Sequence, residues 1–278
     1  MAPSQPVKRF DWNNLRMRIA SAAILAPLAL GALWLGGPAF LVMMAVTVAL
    51  LAIEWGAMCD PKSPVRAAAV MTAAILIAVF AAYLGHPFIG WSLVGLGALA
   101  GGGFTLLRGR IDRPADIAFG VLYIGAPVVA LVWLRASSGG QAWVFLLVAV
   151  VWAADIGAFL AGNALKGPKL WPQLSPNKTW SGLVGGVIGG VLAGIGVAAL
   201  PFAGGPSLAS AAWISLIAAL AAMAGDLWES MLKRRFGVKD SGDLIPGHGG
   251  LLDRVDGLMF AAVLLAGVRL AFALGMGR

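Results

Sequence analysis

Nine separate apolar stretches, each roughly 20 residues long, constrain this chain more than any other feature of its sequence. A helix of that length crosses the hydrocarbon core of a bilayer. The stretches do not alternate between apolar and polar residues, as the strands of a membrane barrel would. We therefore predict an all-α, polytopic integral membrane protein with about nine transmembrane helices. The predicted spans are 18–36, 38–57, 66–85, 87–107, 115–134, 141–162, 182–202, 207–226 and 256–276.

The scarcity of charge excludes the soluble alternatives. Only 12% of the 278 residues are charged, against about 25% in soluble globular chains. The single cysteine, Cys59, excludes an intramolecular disulfide and a metal site built from several cysteines. The net charge of +8 does not require a nucleic-acid partner, because basic residues also collect in the cytoplasmic loops of membrane proteins.

The positions of the basic residues predict how the chain is oriented. With the N-terminus in the cytoplasm and nine alternating spans, 17 of the 20 basic residues fall in cytoplasmic segments. The exceptions are Arg135, Arg269 and Arg278. Since this asymmetry follows the positive-inside rule, we predict a cytoplasmic N-terminus and a C-terminus on the opposite side.

Loop lengths predict where the chemistry takes place. Residues 1–17 form a cytoplasmic segment, and 18–140 form scaffold helices that could also supply dimer contacts. Residues 141–278 form the predicted catalytic region, which contains two long cytoplasmic loops at 163–181 and 227–255. Long loops between rigid elements commonly carry function. Between these loops, glycines recur at every fourth position from 182 to 194, a pattern that favours close helix packing.

Acidic residues gather around the second long loop. Asp226 ends the eighth span, and Asp253 and Asp256 open the ninth with a spacing that places both on one helix face. Carboxylates at membrane depth are costly and usually functional, and Mg²⁺ prefers such oxygen ligands. We therefore predict that Asp226, Asp253 and Asp256 bind a divalent metal. Alternatively, Asp256 favours a helix N-terminus electrostatically, and Glu229, Arg235 and Asp243 are ordinary solvated loop charges.

A glycine-rich turn lies between these acids. Its sequence, Pro246-Gly247-His248-Gly249-Gly250, allows successive backbone N–H groups to form an anion-binding nest. Beside a carboxylate cluster, the turn predicts a phosphate-binding role for His248, Gly249 and Gly250. The simpler alternative is that His248 is a turn residue that binds only backbone atoms.

The first long loop carries a second candidate phosphate site. Ser175, Lys178 and Thr179 suit phosphate oxygens, although this segment could equally be a helix cap before the seventh span. Asp155 lies inside the apolar sixth span and is therefore a functional candidate by default. For the two other charges within spans, Glu54 and Arg269, we favour a structural role as polar partners inside the bundle.

These motifs resemble the signature of the phosphatidate cytidylyltransferases, also called CDP-diacylglycerol synthases. The matching residues, specific over about 150–257, are Trp152-x-x-Asp155, Ser175-Pro176-x-Lys178-Thr179-Trp180, Ser230-x-x-Lys233-Arg234, Lys239-Asp240-x-Gly242 and Pro246-Gly247-His248-Gly249-Gly250-x-x-Asp253-Arg254-x-Asp256. One position departs from the family pattern, because Ser181 stands where an acidic residue usually follows the Thr-Trp pair.

The resemblance implies transfer of a cytidylyl group from CTP to phosphatidate in the cytoplasmic (inner) membrane, at an active site facing the cytoplasm. It implies Mg²⁺ as cofactor, with K⁺ as a further candidate, and makes a homodimer a reasonable expectation. Asp226, Asp253 and Asp256 are then catalytic metal ligands, joined by Lys239. The residues expected to bind CTP and phosphate are Asp155, Ser175, Lys178, Thr179, Lys233, Arg234, His248, Gly249 and Gly250.

Two other functions remain as alternatives at this stage. A CTP-dependent membrane lipid kinase would transfer the γ-phosphoryl group, so labelled CTP would distinguish it from a cytidylyltransferase. A polytopic ion or anion transporter could use Asp155, Glu54 and Arg269, but transporter sites usually lie near the midplane between repeats. A CDP-alcohol phosphotransferase is excluded, because no further acids follow Asp256 in the last span.

Overall fold

The structure is a computed structural model that describes residues 12–108, 113–202 and 204–273. Within these ranges the chain forms nine helices and one antiparallel hairpin. The elements are α1 (Trp12–Leu35), α2 (Gly37–Cys59), α3 (Pro64–Tyr83), α4 (Pro87–Arg108), α5 (Pro114–Ala136), α6 (Gly140–Leu165), β1 (Lys169–Trp171), β2 (Ser175–Thr179), α7 (Trp180–Ala198), α8 (Leu208–Phe236) and α9 (Leu252–Ala273).

The helices confirm the predicted all-α polytopic fold. Each predicted span corresponds to one helix, and eight of the helices are long and apolar enough to cross a membrane. The remaining helix, α4, has a shorter apolar part at Pro87–Gly103. The orientation of the termini relative to the cytoplasm stays a prediction.

The second long loop is shorter than predicted, because α8 continues ten residues beyond the predicted end of its span. Leu232 packs in the core, and Gly237, at a φ of 74°, ends the helix by donating its N–H to the carbonyls of Lys233 and Arg234. Glu229 and Arg235 therefore lie on a helix, and the prediction that they belong to a solvated loop was wrong.

The first long loop contains a small hairpin that the sequence analysis did not predict. β1 and β2 pair antiparallel, with Lys169 opposite Thr179 and Trp171 opposite Ser175. Thr179 then caps α7, because its Oγ1 accepts a hydrogen bond of 3.1 Å from the N–H of Gly182. The cap satisfies one of the N–H groups that have no intrahelical partner in the first turn of α7.

Glycines allow α7 to pack against α6 at backbone distance, as their spacing predicts. The four ladder glycines from 182 to 194 are all buried. A Cβ at Gly182 would lie 3.0 Å from the carbonyl oxygen of Ala158, and one at Gly186 would lie 2.8 Å from that of Ala154. Only residues without a side chain permit this approach.

Long-range contacts gather several helix ends at one end of the bundle. Arg18 of α1 donates to the carbonyl of Gly247, and Arg235 of α8 pairs with the buried Asp116 of α5 at 2.5 Å. Glu54, near the end of α2, contacts the start of α9. Residues on both sides of the predicted division at residue 140 therefore meet at the end of the bundle where the predicted site lies.

Candidate active site

A cavity of about 1310 Å³ lies at this end, between α6, the hairpin, α7, α8 and α9. It brings together predicted site residues that are far apart in sequence. The predicted residues that line it are Asp155, Lys178, Thr179, Asp226, Lys233, His248, Asp253 and Asp256. Apolar side chains, among them Trp152, Phe159 and Met223, form another part of the lining. The cavity therefore offers charged groups next to an apolar surface.

Lys233 lies between two carboxylates in the part of the cavity built by α8 and α9. Its Nζ is 2.5 Å from Oδ1 of Asp253 and 2.8 Å from Oε2 of Glu229, one helical turn earlier. The Glu229 side chain is 1% exposed and that of Lys233 is 16% exposed. Because all three groups are withdrawn from water, this cluster fixes the Asp253 carboxylate in one orientation.

The second oxygen of Asp253 is held by the loop between α8 and α9. Oδ2 accepts hydrogen bonds from the backbone N–H of Ser241 at 3.0 Å and from its hydroxyl at 2.9 Å. Gly250 packs against the same two side chains. A Cβ there would lie 2.9 Å from Oδ2 of Asp253 and would clash with Oγ of Ser241. The glycine therefore makes room for the Ser241–Asp253 pair.

Glu54 binds the start of α9 from a distant part of the chain. It is 2% exposed, and its two carboxylate oxygens accept hydrogen bonds of 2.7 Å from the N–H groups of Leu251 and Leu252. Its Oε2 also lies 3.4 Å from the Ser241 hydroxyl. The structural role that we favoured for Glu54 is therefore observed, but its contacts lead directly to a site residue.

The opposite part of the cavity, built by α6, the hairpin and α7, is more loosely held. Lys178 of β2 pairs with Asp226 of α8 through an Nζ–Oδ2 distance of 2.5 Å, and the two side chains are 25% and 42% exposed. Asp155 of α6 is exposed to the cavity. A cation with one exposed partner is available to exchange it for a phosphate oxygen.

The glycine-rich turn does not form the open nest of amides that its sequence predicts. The N–H groups of His248 and Gly249 donate to the carbonyl of Ile245 at 2.9 and 3.1 Å, inside the turn. For these two amides the phosphate-cradle prediction is wrong. The His248 ring lines the cavity, and its Nδ1 lies 2.9 Å from the hydroxyl of Ser21 in α1.

Five predicted binding or catalytic residues do not line the cavity in the described part of the chain. Ser175 pairs with Trp171 across the hairpin, and Arg234 and Lys239 are exposed on α8 and in the following turn. Gly249 and Gly250 belong to the supporting turn. Thr179 does line the cavity, but its hydroxyl is used to cap α7.

The carboxylates of the cavity have the chemistry of a hard-cation site. Asp155, Asp226, Glu229 and Asp256 all line the cavity, so that several negative charges lie around one space. Across residues 12–108, 113–202 and 204–273, no group of three His, Cys, Asp or Glu side chains could by itself hold a metal ion. Asp226 and Asp253 are each paired with a lysine, so a Mg²⁺ ion held here would need further oxygen ligands, which substrate phosphates commonly supply. The three-aspartate metal site stays a prediction.

Glu229 is a cavity residue that the sequence analysis did not assign to the site. A signal was present, because Glu229 and Lys233 have the i,i+4 spacing of a helical ion pair. The basic residues at 233–235, followed by Gly237, are also typical of a helix C-terminus. Together they predict that α8 continues through Glu229 and carries it to the cavity.

Fold and site together define a polytopic membrane protein with a charged cavity where several helix ends meet. The chain belongs to the cytidylyltransferase family, whose model matches residues 16–272. It is 37% identical over 261 residues to the phosphatidate cytidylyltransferase of Brucella suis, covering 91% of this chain and 92% of that protein. It is 33% identical over 267 residues to the Pseudomonas aeruginosa protein of the same name, covering 91% and 97%. The resemblance found in the sequence is confirmed.

Proposed function

We propose that this protein transfers the cytidylyl group of CTP to phosphatidate, giving CDP-diacylglycerol and pyrophosphate. Membership of the cytidylyltransferase family supports the proposal, as does its similarity to proteins named phosphatidate cytidylyltransferase. The observation that carries it is the cavity itself. Lys178, Lys233 and Arg254 line it beside six carboxylates, and apolar residues of α6 and α8 extend it. Binding a lipid phosphate together with a nucleoside triphosphate requires charged groups beside an apolar surface.

The proposed reaction needs charge neutralisation more than it needs an activated nucleophile. A phosphate oxygen of phosphatidate attacks the α-phosphorus of CTP, so a new P–O bond forms and the bond to the β-phosphate breaks. The nucleophile is already an anion, and pyrophosphate leaves with the electron pair. Lys178, with its single exposed partner, would hold triphosphate oxygens. Lys233 and Asp253 would supply fixed charge at the reacting end, where preorganised electrostatics are most effective.

We further propose that Mg²⁺ enters the cavity with CTP. Mg²⁺ is usually held by one or two carboxylates together with substrate phosphates, and Asp226 and Asp256 are the candidate ligands, with Asp253 beside them. When bound, the ion would neutralise charge on the phosphates. The family resemblance adds K⁺ as a candidate ion beside the Mg²⁺. Its contribution is separated from that of Mg²⁺ by assaying with each ion alone.

We propose that the protein lies in the inner membrane and that the cavity opens to the cytoplasm. The distribution of basic residues supports this orientation, and CTP is a cytosolic, membrane-impermeant substrate. The homodimer remains an expectation from the family resemblance.

The experiment is a product analysis with the purified full-length protein, phosphatidate in detergent micelles and CTP labelled at either the α- or the γ-phosphate. We expect α-label in the lipid, γ-label in pyrophosphate, and loss of both with EDTA that Mg²⁺ restores. Transfer of γ-label to the lipid would show a lipid kinase instead. Unlabelled lipid, together with ion flux in liposomes without CTP, would favour a transporter.

A further inference from the structure

The start of α9 is bound by a residue that lies almost two hundred positions earlier in the chain. A helix N-terminus has N–H groups without intrahelical partners. Here the Glu54 carboxylate accepts two of the neighbouring amides, those of Leu251 and Leu252, at 2.7 Å each. Its negative charge also lies where the positive end of the helix dipole favours it. Glu54 therefore acts as a cap supplied by α2.

The same carboxylate contacts the loop that holds Asp253. Ser241 is 4% exposed and donates both its N–H and its hydroxyl to Oδ2 of Asp253, while the hydroxyl also lies 3.4 Å from Oε2 of Glu54. Gly242 packs on Glu54, since a Cβ at that position would lie 3.0 Å from Oε1. The loop at Ser241 and the start of α9 therefore both contact the buried Glu54 carboxylate.

We infer that Glu54 is a positioning residue, which holds the Ser241 loop and the first turn of α9 so that Asp253 faces the cavity. The inference rests on the proposed function, because it assigns Asp253 to the reacting end of that site. Lys233 binds the other oxygen of Asp253, so the orientation of this carboxylate is determined from two sides. Glu54 does not line the cavity in the described part of the chain, and it acts only through these neighbours.

Replacing Glu54 with glutamine is the direct test. An amide can accept only with its oxygen, so one of the two α9 amides loses its partner and faces an NH₂ group. We expect Glu54→Gln to lower kcat for CDP-diacylglycerol formation about 10- to 100-fold, as loss of supporting contacts does at metal and catalytic sites. The KM for CTP should stay unchanged, because Lys178 lies on the other side of the cavity. Deuterium exchange of the 237–252 segment should increase.

Ser241→Ala provides the second variant, because it removes only the hydroxyl that links Glu54 to Asp253. We expect a smaller fall in kcat, again at unchanged KM for CTP. The double variant should have no lower kcat than Glu54→Gln alone, since both changes act through one path. If Glu54→Gln does not fold, this variant and its exchange pattern still test the inference.

Asp116→Asn is the matched control. Asp116 is also a buried acid at this end of the bundle, but its carboxylate pairs with Arg235 of α8 rather than with the start of α9. We expect a lower Tm with the kcat of the wild type. Equal losses of kcat in Asp116→Asn and Glu54→Gln would overturn the inference, as would a wild-type kcat in both Glu54→Gln and Ser241→Ala.

The outcomes also separate this inference from the proposed function. If the wild-type protein forms no CDP-diacylglycerol but phosphorylates lipid, the proposed function fails. In that case the kcat for lipid phosphorylation is compared among the Glu54→Gln, Ser241→Ala and Asp116→Asn variants. Together with deuterium exchange, that comparison still tests whether Glu54 positions Asp253. Exchange that stays unchanged in Glu54→Gln would overturn the positioning role whatever the reaction.

Discussion

The two walls of the cavity differ in how firmly their charges are held. The α8–α9 wall, which comprises Glu229, Lys233, Ser241 and Asp253, is largely buried, and its members contact one another through several short bonds. The α6–α7 wall, which comprises Asp155, Lys178 and Thr179, reaches across to Asp226 through a single, partly exposed ion pair. We interpret the first wall as fixed before substrate binds and the second as able to exchange its protein partner for substrate.

The largest effect that this comparison predicts concerns the stability of the α8–α9 wall. Lys233→Met leaves Glu229 and Asp253 without their shared cation. Breaking a buried ion pair by removing one partner costs about 3–5 kcal/mol, and we expect a loss of that order in the free energy of unfolding. Thermal or denaturant unfolding of the purified protein in detergent measures it.

Lys178→Met is the matched control on the α6–α7 wall. Because the Asp226 side chain is 42% exposed and can be solvated without its partner, the same substitution should cost less there than in Lys233→Met. A second check is Lys233→Met combined with Glu229→Gln, which removes one uncompensated carboxylate and should regain part of the lost stability. Equal costs for the two lysines would remove the proposed difference between the walls.

The next effect concerns nucleotide binding by the α6–α7 wall. Lys178→Ala removes the cation that we assign to the CTP phosphates. The Asp226 carboxylate, which loses its partner, remains solvated because its side chain is partly exposed. A hydrogen bond to a charged group contributes about 1.5–3 kcal/mol, so we expect the KM for CTP to rise roughly 10- to 100-fold with a nearly unchanged Tm. Steady-state kinetics over a range of CTP concentrations measure it.

Arg66→Ala serves as the control for Lys178→Ala. Arg66 is an exposed cation in the first turn of α3, and it does not line the cavity in the part of the chain that the structure describes. Its removal should leave the KM for CTP unchanged. A Lys178→Ala variant with wild-type KM would exclude Lys178 from the nucleotide site.

The helices were predictable from the sequence because each is decided locally by a long apolar run. The end of α8 was not found from hydropathy, since Glu229 and Lys233 interrupt the apolar run where the helix continues. Their burial depends on α9, which supplies Asp253 as the third member of the cluster. A window along the sequence contains no information about that contact.

The site residues divide in the same way. Asp155, Lys178 and Asp253 could be found because a charge in or beside an apolar span is conspicuous. The contact between Glu54 and the start of α9 could not, because it depends on how α2 packs in the folded bundle. The hydrogen bonds inside the 245–249 turn could not be predicted either, because a glycine-rich sequence permits both an open nest of amides and a turn whose amides bind its own carbonyls.

The smallest predicted effect decides between the two functions considered for Thr179. The sequence suggests a phosphate ligand or a helix cap, and the structure shows its hydroxyl capping α7 at Gly182. Thr179→Ala should therefore lower the stability by about 1 kcal/mol, a typical value for loss of an N-cap, whereas Thr179→Ser keeps the hydroxyl and should retain most of it. Since the cap is already engaged with backbone, the KM for CTP should change in neither variant. A raised KM in Thr179→Ala at unchanged Tm would instead make Thr179 a ligand, and the α6–α7 wall would then hold the nucleotide through Thr179 as well as Lys178.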